Sequence, residues 1–349
     1  MIYDPTSLPY LHGAPLGNAR FKVEPSDFLV EERLGFEPSG EGEHCLLWVE
    51  KTSVDSNVVS TRFADALGIR RRLVSHCGLK DRHAVTRQWF SIHLPGEESP
   101  DRAALESEGV KVLRVTRNTR KLKRGTHVGN GFTIRLRDPD FDPALAVARW
   151  ELITQQGVPN FFGPQRFGHG GRNVEKAIQM FSGEIEIRDR LLRGLLLSSA
   201  RSYLFNAVVA ERLARGNWDQ PLAGEVYGFT SNRSIILPQR QRDDEKERFV
   251  EGALEITAPL WGRGELLSEA AVRDLEKAVV APFPEITKGL EATGMDQERR
   301  VMRLRPEHSR LEILSNGDIQ LRFDLPKGTY ATALLRELTE LVEENRRVS

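Results

Sequence analysis

Gly78-Leu79-Lys80-Asp81-Arg82-His83-Ala84-Val85-Thr86 is the stretch around which the chain is organised. Before it, residues 73–77 are short, apolar and strand-like. After it, residues 88–94 alternate as a second strand does. The Gly-led turn between them carries one carboxylate, Asp81, among a lysine, an arginine and a histidine. A side chain at a strand end is displayed rather than packed, and cationic neighbours favour an ionised carboxylate. That form suits a nucleophile or a base, and the same cations can grip a phosphate. A solvated charged turn reads the same in isolation, so its surroundings decide.

Upstream, residues 28–32 and 45–49 read as strands. Asn57 caps a helix whose face carries Val59, Phe63 and Leu67, ending at Gly68. Downstream, a short helix is expected over 100–108 and a strand over 110–116. Residues 114–124 hold six basic residues and no acid: Arg114, Arg117, Arg120, Lys121, Lys123 and Arg124. Phosphate contacts would account for such a run, as would a solvated face. Phe132, Ile134 and Leu136 then alternate with polar residues, as in a half-buried strand. Asp142-Pro143 starts a helix that Gly157 ends. The glycines of 163–171 lack the spacing of a nucleotide-triphosphate loop and read as a tight loop presenting Arg166.

Beyond this point the pattern becomes helical, over 174–182, 196–215, 269–280 and 285–292, with a charged, exposed run at 243–248. Strands return around the hairpin signal Asn316-Gly317, and a helix is expected over 329–342. The fold class is therefore α+β: a mixed, largely antiparallel sheet domain from residues 1–158 and 302–349, with 159–301 inserted as a helix-richer α/β domain.

The 349 residues allow two domains. Lys plus Arg and Asp plus Glu are both 50, so any polyanion site must come from local segregation of charge. Two cysteines exclude a disulfide scaffold, and eight scattered histidines show no metal-ligand spacing. No basic leader or membrane-length apolar run is present, so a cytoplasmic protein is expected.

The nonapeptide at 78–86 resembles the signature of the tRNA pseudouridine synthase D family. So do four further blocks, in the family's order: Phe21 to Glu32 with Lys22, Pro25, Asp27 and Phe28; Gly129-Asn130-Gly131-Phe132; Val158 to Gly168; and Pro326 to Thr332 with Arg336-Glu337. Tyr330 stands where the family has phenylalanine. The resemblance implies a pseudouridine synthase catalytic domain with a family-specific insertion, forming a V-shaped basic cleft. It implies tRNA as partner, a uridine at position 13 of the D arm as target, and Asp81 as the single catalytic aspartate.

Moving a uracil from an N1 to a C5 link with its ribose requires no redox change, group donor or metal, so no cofactor is expected. No membrane or obligate protein partner is implied. Phe28, Phe132 and Tyr330 are candidates to line or stack on a flipped uracil. Asn130 suits placing Asp81 or the base, and Glu32 suits orienting Lys22 or a nearby arginine. Lys22, Lys80, Arg82, His83, Arg117, Arg120, Lys121, Lys123, Arg124 and Arg166 are the RNA-binding candidates. The alternatives are a non-catalytic RNA-binding module with a structural Asp81, and a glycoside hydrolase. The latter needs two carboxylates at a defined separation, which the sequence does not single out.

Overall fold

Alternating apolar residues build the sheet that carries the signature loop. The computed structural model describes residues 7–343, apart from Arg233, Asp243 and the side chain of His169; the first residue of the 243–248 run thus lies outside the described residues. The chain forms two units. One comprises residues 15–154, 306–331 and 338 onward; the other takes residues up to 14, 155–305 and 332–337.

The first unit begins with β1 (Asn18–Phe21), β2 (Phe28–Arg33) and β3 (His44–Thr52). Helix α1 (Ser56–Ala66) follows, its first turn capped by Asp55, which accepts from the Asn57 N–H, two positions earlier than the expected Asn57 cap. Then come β4 (Val74–His76), β5 (Val85–His93), β6 (Val110–Asn118) and β7 (Gly129–Arg137). The hairpin strands Glu307–Ile313 and Ile319–Pro326 complete the main path, which runs Glu307–Ile313, Ile319–Pro326, β7, β2, β5, β3, β6. Beside this path, β4 pairs with β5, while β1 pairs with β7 and with Glu340–Glu343.

Neighbours are antiparallel except for β2 with β5 and β1 with Glu340–Glu343. A parallel pair demands a crossover. The one from β2 to β5 runs through β3, α1 and β4 and ends in the 78–84 loop. Cys45, Leu47 and Val49 of β3 pack with Val59 and Phe63 of α1 and Phe90 and Ile92 of β5, all buried. That core fixes where the loop begins and ends.

Gly129 needs to be glycine because a Cβ there would lie 2.5 Å from the Leu325 carbonyl oxygen on the neighbouring strand. Gly129→Ala is expected to cost about 1–3 kcal/mol through overpacking, read as a lower thermal midpoint.

The second unit holds the helices Arg172–Ser182, Arg190–Ala214, Ala270–Val280 and Pro284–Ala292. Its antiparallel sheet runs Ile235–Ile236, Tyr227–Phe229, Leu254–Leu260, Glu298–Val301. Leu254–Leu260 is almost wholly buried, so Glu255 and Thr257, the polar residues that alternate with Leu254, Ile256 and Ala258, are buried as well. Two ion pairs are sealed inside this unit, Arg212–Glu225 at 3.1 Å and Arg299–Glu276 at 2.8 Å.

The α+β class stands as expected, and the helix-rich unit takes in residues on both sides of 158/159 and 301/302. Val158–Pro159 pairs with Arg303–Leu304, and Asn160 bonds the backbone of Val301 and Met302. These crossings hold both sides of each expected boundary within the helix-rich unit. Glu337 accepts from the N–H groups of Leu11 and His12, which ties residues 332–337 to the segment before residue 15 within that unit.

The expected helix over 329–342 is only Ala331–Leu335, and Glu340–Glu343 is a strand. Its leucine spacing fits a helix, yet the Glu340 N–H donates to the Gly17 carbonyl and the strand registers on β1. Tertiary pairing overrides the local pattern here. No described helix is long and apolar enough to cross a membrane.

Candidate active site

The backbone of the Asp81 loop is held from its inner side by buried polar side chains. His76 Nδ1 and Gln88 Nε2 both donate to the Gly78 carbonyl, at 2.8 and 3.2 Å. The Lys80 N–H donates to Ser56 Oγ, whose own hydroxyl donates to Gln88 Oε1. Lys51 Nζ donates to the Asp81 carbonyl at 2.9 Å. Side chains from β3, α1, β4 and β5 thus fix the loop, while the Asp81 carboxylate faces outward with its side chain 54% exposed.

Lys22 Nζ donates to Asp81 Oδ2 at 3.2 Å. The same ammonium lies 4.2 Å from the Phe28 ring centroid and 5.1 Å from that of Phe21, within cation–π range. Lys22 follows β1 with a φ of +56°. For a residue with a Cβ that conformation costs roughly 1–2 kcal/mol, and such strain clusters at functional sites.

Register places Phe28, Val30 and Glu32 of β2 opposite Ile134, Phe132 and Asn130 of β7. The face continues through aromatic contacts: Phe28 to Phe132 at 6.1 Å between centroids, and Phe132 stacked on Phe323 at 5.4 Å. Phe28 is buried and Phe132 half-buried. Asn130 shares this face, and its Oδ1 is buried with no hydrogen-bond donor among the described residues. A buried acceptor left open is uncommon. Tyr330 is half-buried just beyond the turn that ends Ile319–Pro326. That turn is tied to the 125–128 segment, because Lys327 donates from Nζ to the Gly125 carbonyl and from its backbone to that of Val128. The Gly125 N–H in turn donates to the carbonyl of Cys77, the residue just before the 78–86 stretch, at 2.8 Å.

Several expected roles change. Glu32 does not orient Lys22 or an arginine. Its Oε2 accepts from Lys80 Nζ at 2.9 Å, and its Oε1 from the Trp89 N–H. Both side chains are buried, so Lys80 is an internal brace for the loop rather than a phosphate contact. Arg117 also leaves the set of RNA contacts: its guanidinium binds the Leu94 and Glu97 carbonyls and Ser99 Oγ, tying down the turn after β5. Arg166 belongs to the helix-rich unit, where it donates to Ser198 Oγ and lies over Phe162. Arg82, His83, Arg120, Lys121, Lys123 and Arg124 are exposed. Arg71, His76, Lys121, Lys123 and Arg124 help line a cavity of about 430 Å³.

Glu32, Cys77 and His127 bring a carboxylate, a thiol and an imidazole within 4.8 Å of one another, a grouping the sequence spacing did not suggest. Lys80 already supplies the charge that Glu32 requires. Burial, and next Glu32, push the Cys77 thiol up to about 12, and burial, then Lys80, lower His127. The cluster as it stands is a carboxylate–ammonium pair flanked by neutral groups. Asp27, quoted in a family block but given no role there, is buried just before β2 and bound by the Arg137 guanidinium at 2.9 and 3.0 Å.

An exposed carboxylate beside a lysine and an aromatic face, on a rigid loop, suits attack or proton transfer on a planar ring or its sugar. Comparison with known proteins specifies the chemistry. The family described as tRNA pseudouridine synthase D (TruD) matches residues 8–186 and 171–338. The chain is 45% identical over 337 residues to tRNA pseudouridine synthase D of Aeromonas salmonicida, covering 96% of this chain and 95% of the relative. It is 42% identical over 333 residues to the protein of the same name in Methylococcus capsulatus, covering 95% and 94%. A crystal structure from Methanosarcina mazei, described under the same family heading, shares the fold with a TM-score of 0.66. It is 20% identical and the match covers 96% of this chain and 95% of that one. The chain belongs to the tRNA pseudouridine synthase D (TruD) family, and its activity is that of a tRNA pseudouridine synthase.

Proposed function

We propose that this chain converts the uridine at position 13 of tRNA, in the D arm, to pseudouridine, with Asp81 starting the reaction on a nucleotide turned out of its stack. The observation that carries the reading is the Asp81 carboxylate, exposed on a loop clamped from within and paired through Oδ2 with Lys22 beside the Phe28 ring. Isomerisation breaks the C1′–N1 bond and forms C1′–C5. N1 ends with a proton and C5 loses one, so atoms and electrons balance without a donor or oxidant. Attack at C1′, attack on the uracil ring and proton abstraction at the sugar all use a carboxylate so presented.

A base within a helical stack offers the enzyme neither its C5 nor room to rotate, so the nucleotide is extruded. Phe28, Phe132 and Tyr330 give the uracil an apolar surface that favours stacking, and Asn130 Oδ1 gives its N3–H an acceptor. Arg82, His83 and the exposed cations at 120–124 hold phosphates, which supplies orientation and salt-dependent affinity. The choice of position 13 rests on the family resemblance, and the same reading puts the enzyme in the cytoplasm with its substrate. Mapping pseudouridine in total tRNA with and without this gene product tests it. The expected result is one D-arm site lost and restored. Loss confined to another tRNA region overturns the site assignment.

A further inference from the structure

We propose that Lys51 is a positioning residue for the isomerisation, a buried cation that fixes the Asp81 main chain and biases the charge around its carboxylate. The inference rests on the reading of Asp81 as the reacting group. Lys51 is 0% exposed, and its Nζ reaches the Asp81 carbonyl at 2.9 Å. Along β3 it shares parity with Cys45, Leu47 and Val49, so the strand turns it to the core face with them. A lysine there carries a desolvation cost that leucine or methionine would avoid, yet its ammonium is spent on one carbonyl of the loop.

The charged groups acting on Lys51 are few. Asp55, at the start of α1, and Asp81 favour its protonated form, and Lys80 opposes it. On the flanking strands its register partners, Thr86 and Val110, carry no charge. Burial outweighs the two aspartates and brings Lys51 down to about 8. Its folded value is depressed, so the charged form prevails below pH 8 and is lost as pH rises through that value. A neutral amine still donates a hydrogen bond, but a weaker one, and it no longer adds positive charge beside Asp81. The loop loosens just where a displacement of about 1 Å costs about 10²-fold in rate.

Single-turnover isomerisation by the full chain, followed from about pH 6.5 to about pH 9.5, tests this with the wild type, Lys51→Gln, Lys51→Met and Asp81→Asn. The wild-type rate constant is expected to fall with a midpoint near 8, at unchanged tRNA affinity. Lys51→Gln keeps a donor without charge, and should be slower at neutral pH, by up to about 10²-fold, with no descent near 8. Lys51→Met should be slower still. Wild-type rates and the same descent in both Lys51 variants overturn the inference, and so does a flat wild-type profile, whatever the variants do. A fully active Asp81→Asn instead sinks the reading of Asp81 itself, and that outcome is distinct from either.

Discussion

Asp81→Asn is expected to lower isomerisation by more than about 10³-fold while leaving tRNA binding within about twofold. Asparagine keeps the shape and loses the charge, so it serves neither as nucleophile nor as base, and loss of such a group costs at least this much elsewhere. The fold should tolerate the change. Asp81 has a 54% exposed side chain and, among the described residues, one ion pair, at 3.2 Å to Lys22. Exposed pairs contribute about 0–1 kcal/mol. The loop backbone keeps its contacts from Lys51, Ser56, Gln88 and His76. RNA loses no phosphate contact and sees one negative charge fewer. Filter binding and pseudouridine analysis on the same preparation separate the two effects.

Glu32→Ala should be the most damaging change to stability near the site. It leaves the Lys80 ammonium buried without its carboxylate, and the Trp89 N–H without an acceptor. Breaking one side of a buried pair costs about 3–5 kcal/mol, which for a unit of this size lowers the thermal midpoint by about 10 °C. Removing both charges in shape-matched form, Glu32→Leu with Lys80→Met, should recover most of the loss because no uncompensated charge remains. Calorimetry of the single and double variants measures the difference. A double variant as unstable as Glu32→Ala would mean that the pair's hydrogen bonds, not charge compensation, hold the loop.

The strand, turn and strand around Asp81 were legible because their signals are local: glycine at the turn, a short apolar run before it and alternation after it. The Asn316-Gly317 hairpin was legible for the same reason, with Gly317 at a φ of +86°. What escaped depends on residues distant in the chain. Glu32 and Lys80 are 48 positions apart, and no local pattern announces that they meet. Arg117 counts equally with Lys121 in a basic run, yet Arg117 bonds three groups of one turn while Lys121 is exposed. Charge density in sequence does not report burial. Lys51 did leave a trace, since its strand parity matched Cys45, Leu47 and Val49, but a lysine at a strand end reads by default as solvated. The leucines at 334, 335, 338 and 341 suited a helix, and pairing with β1 decided otherwise.

The most direct test is single-turnover release of tritium from tRNA labelled at uracil C5, because that hydrogen leaves only when C1′ bonds to C5. The wild type should release the label from one uridine per tRNA, and Asp81→Asn, bound to the same tRNA, should release none. Release at the wild-type rate by the bound variant would contradict the assignment of the reaction to Asp81.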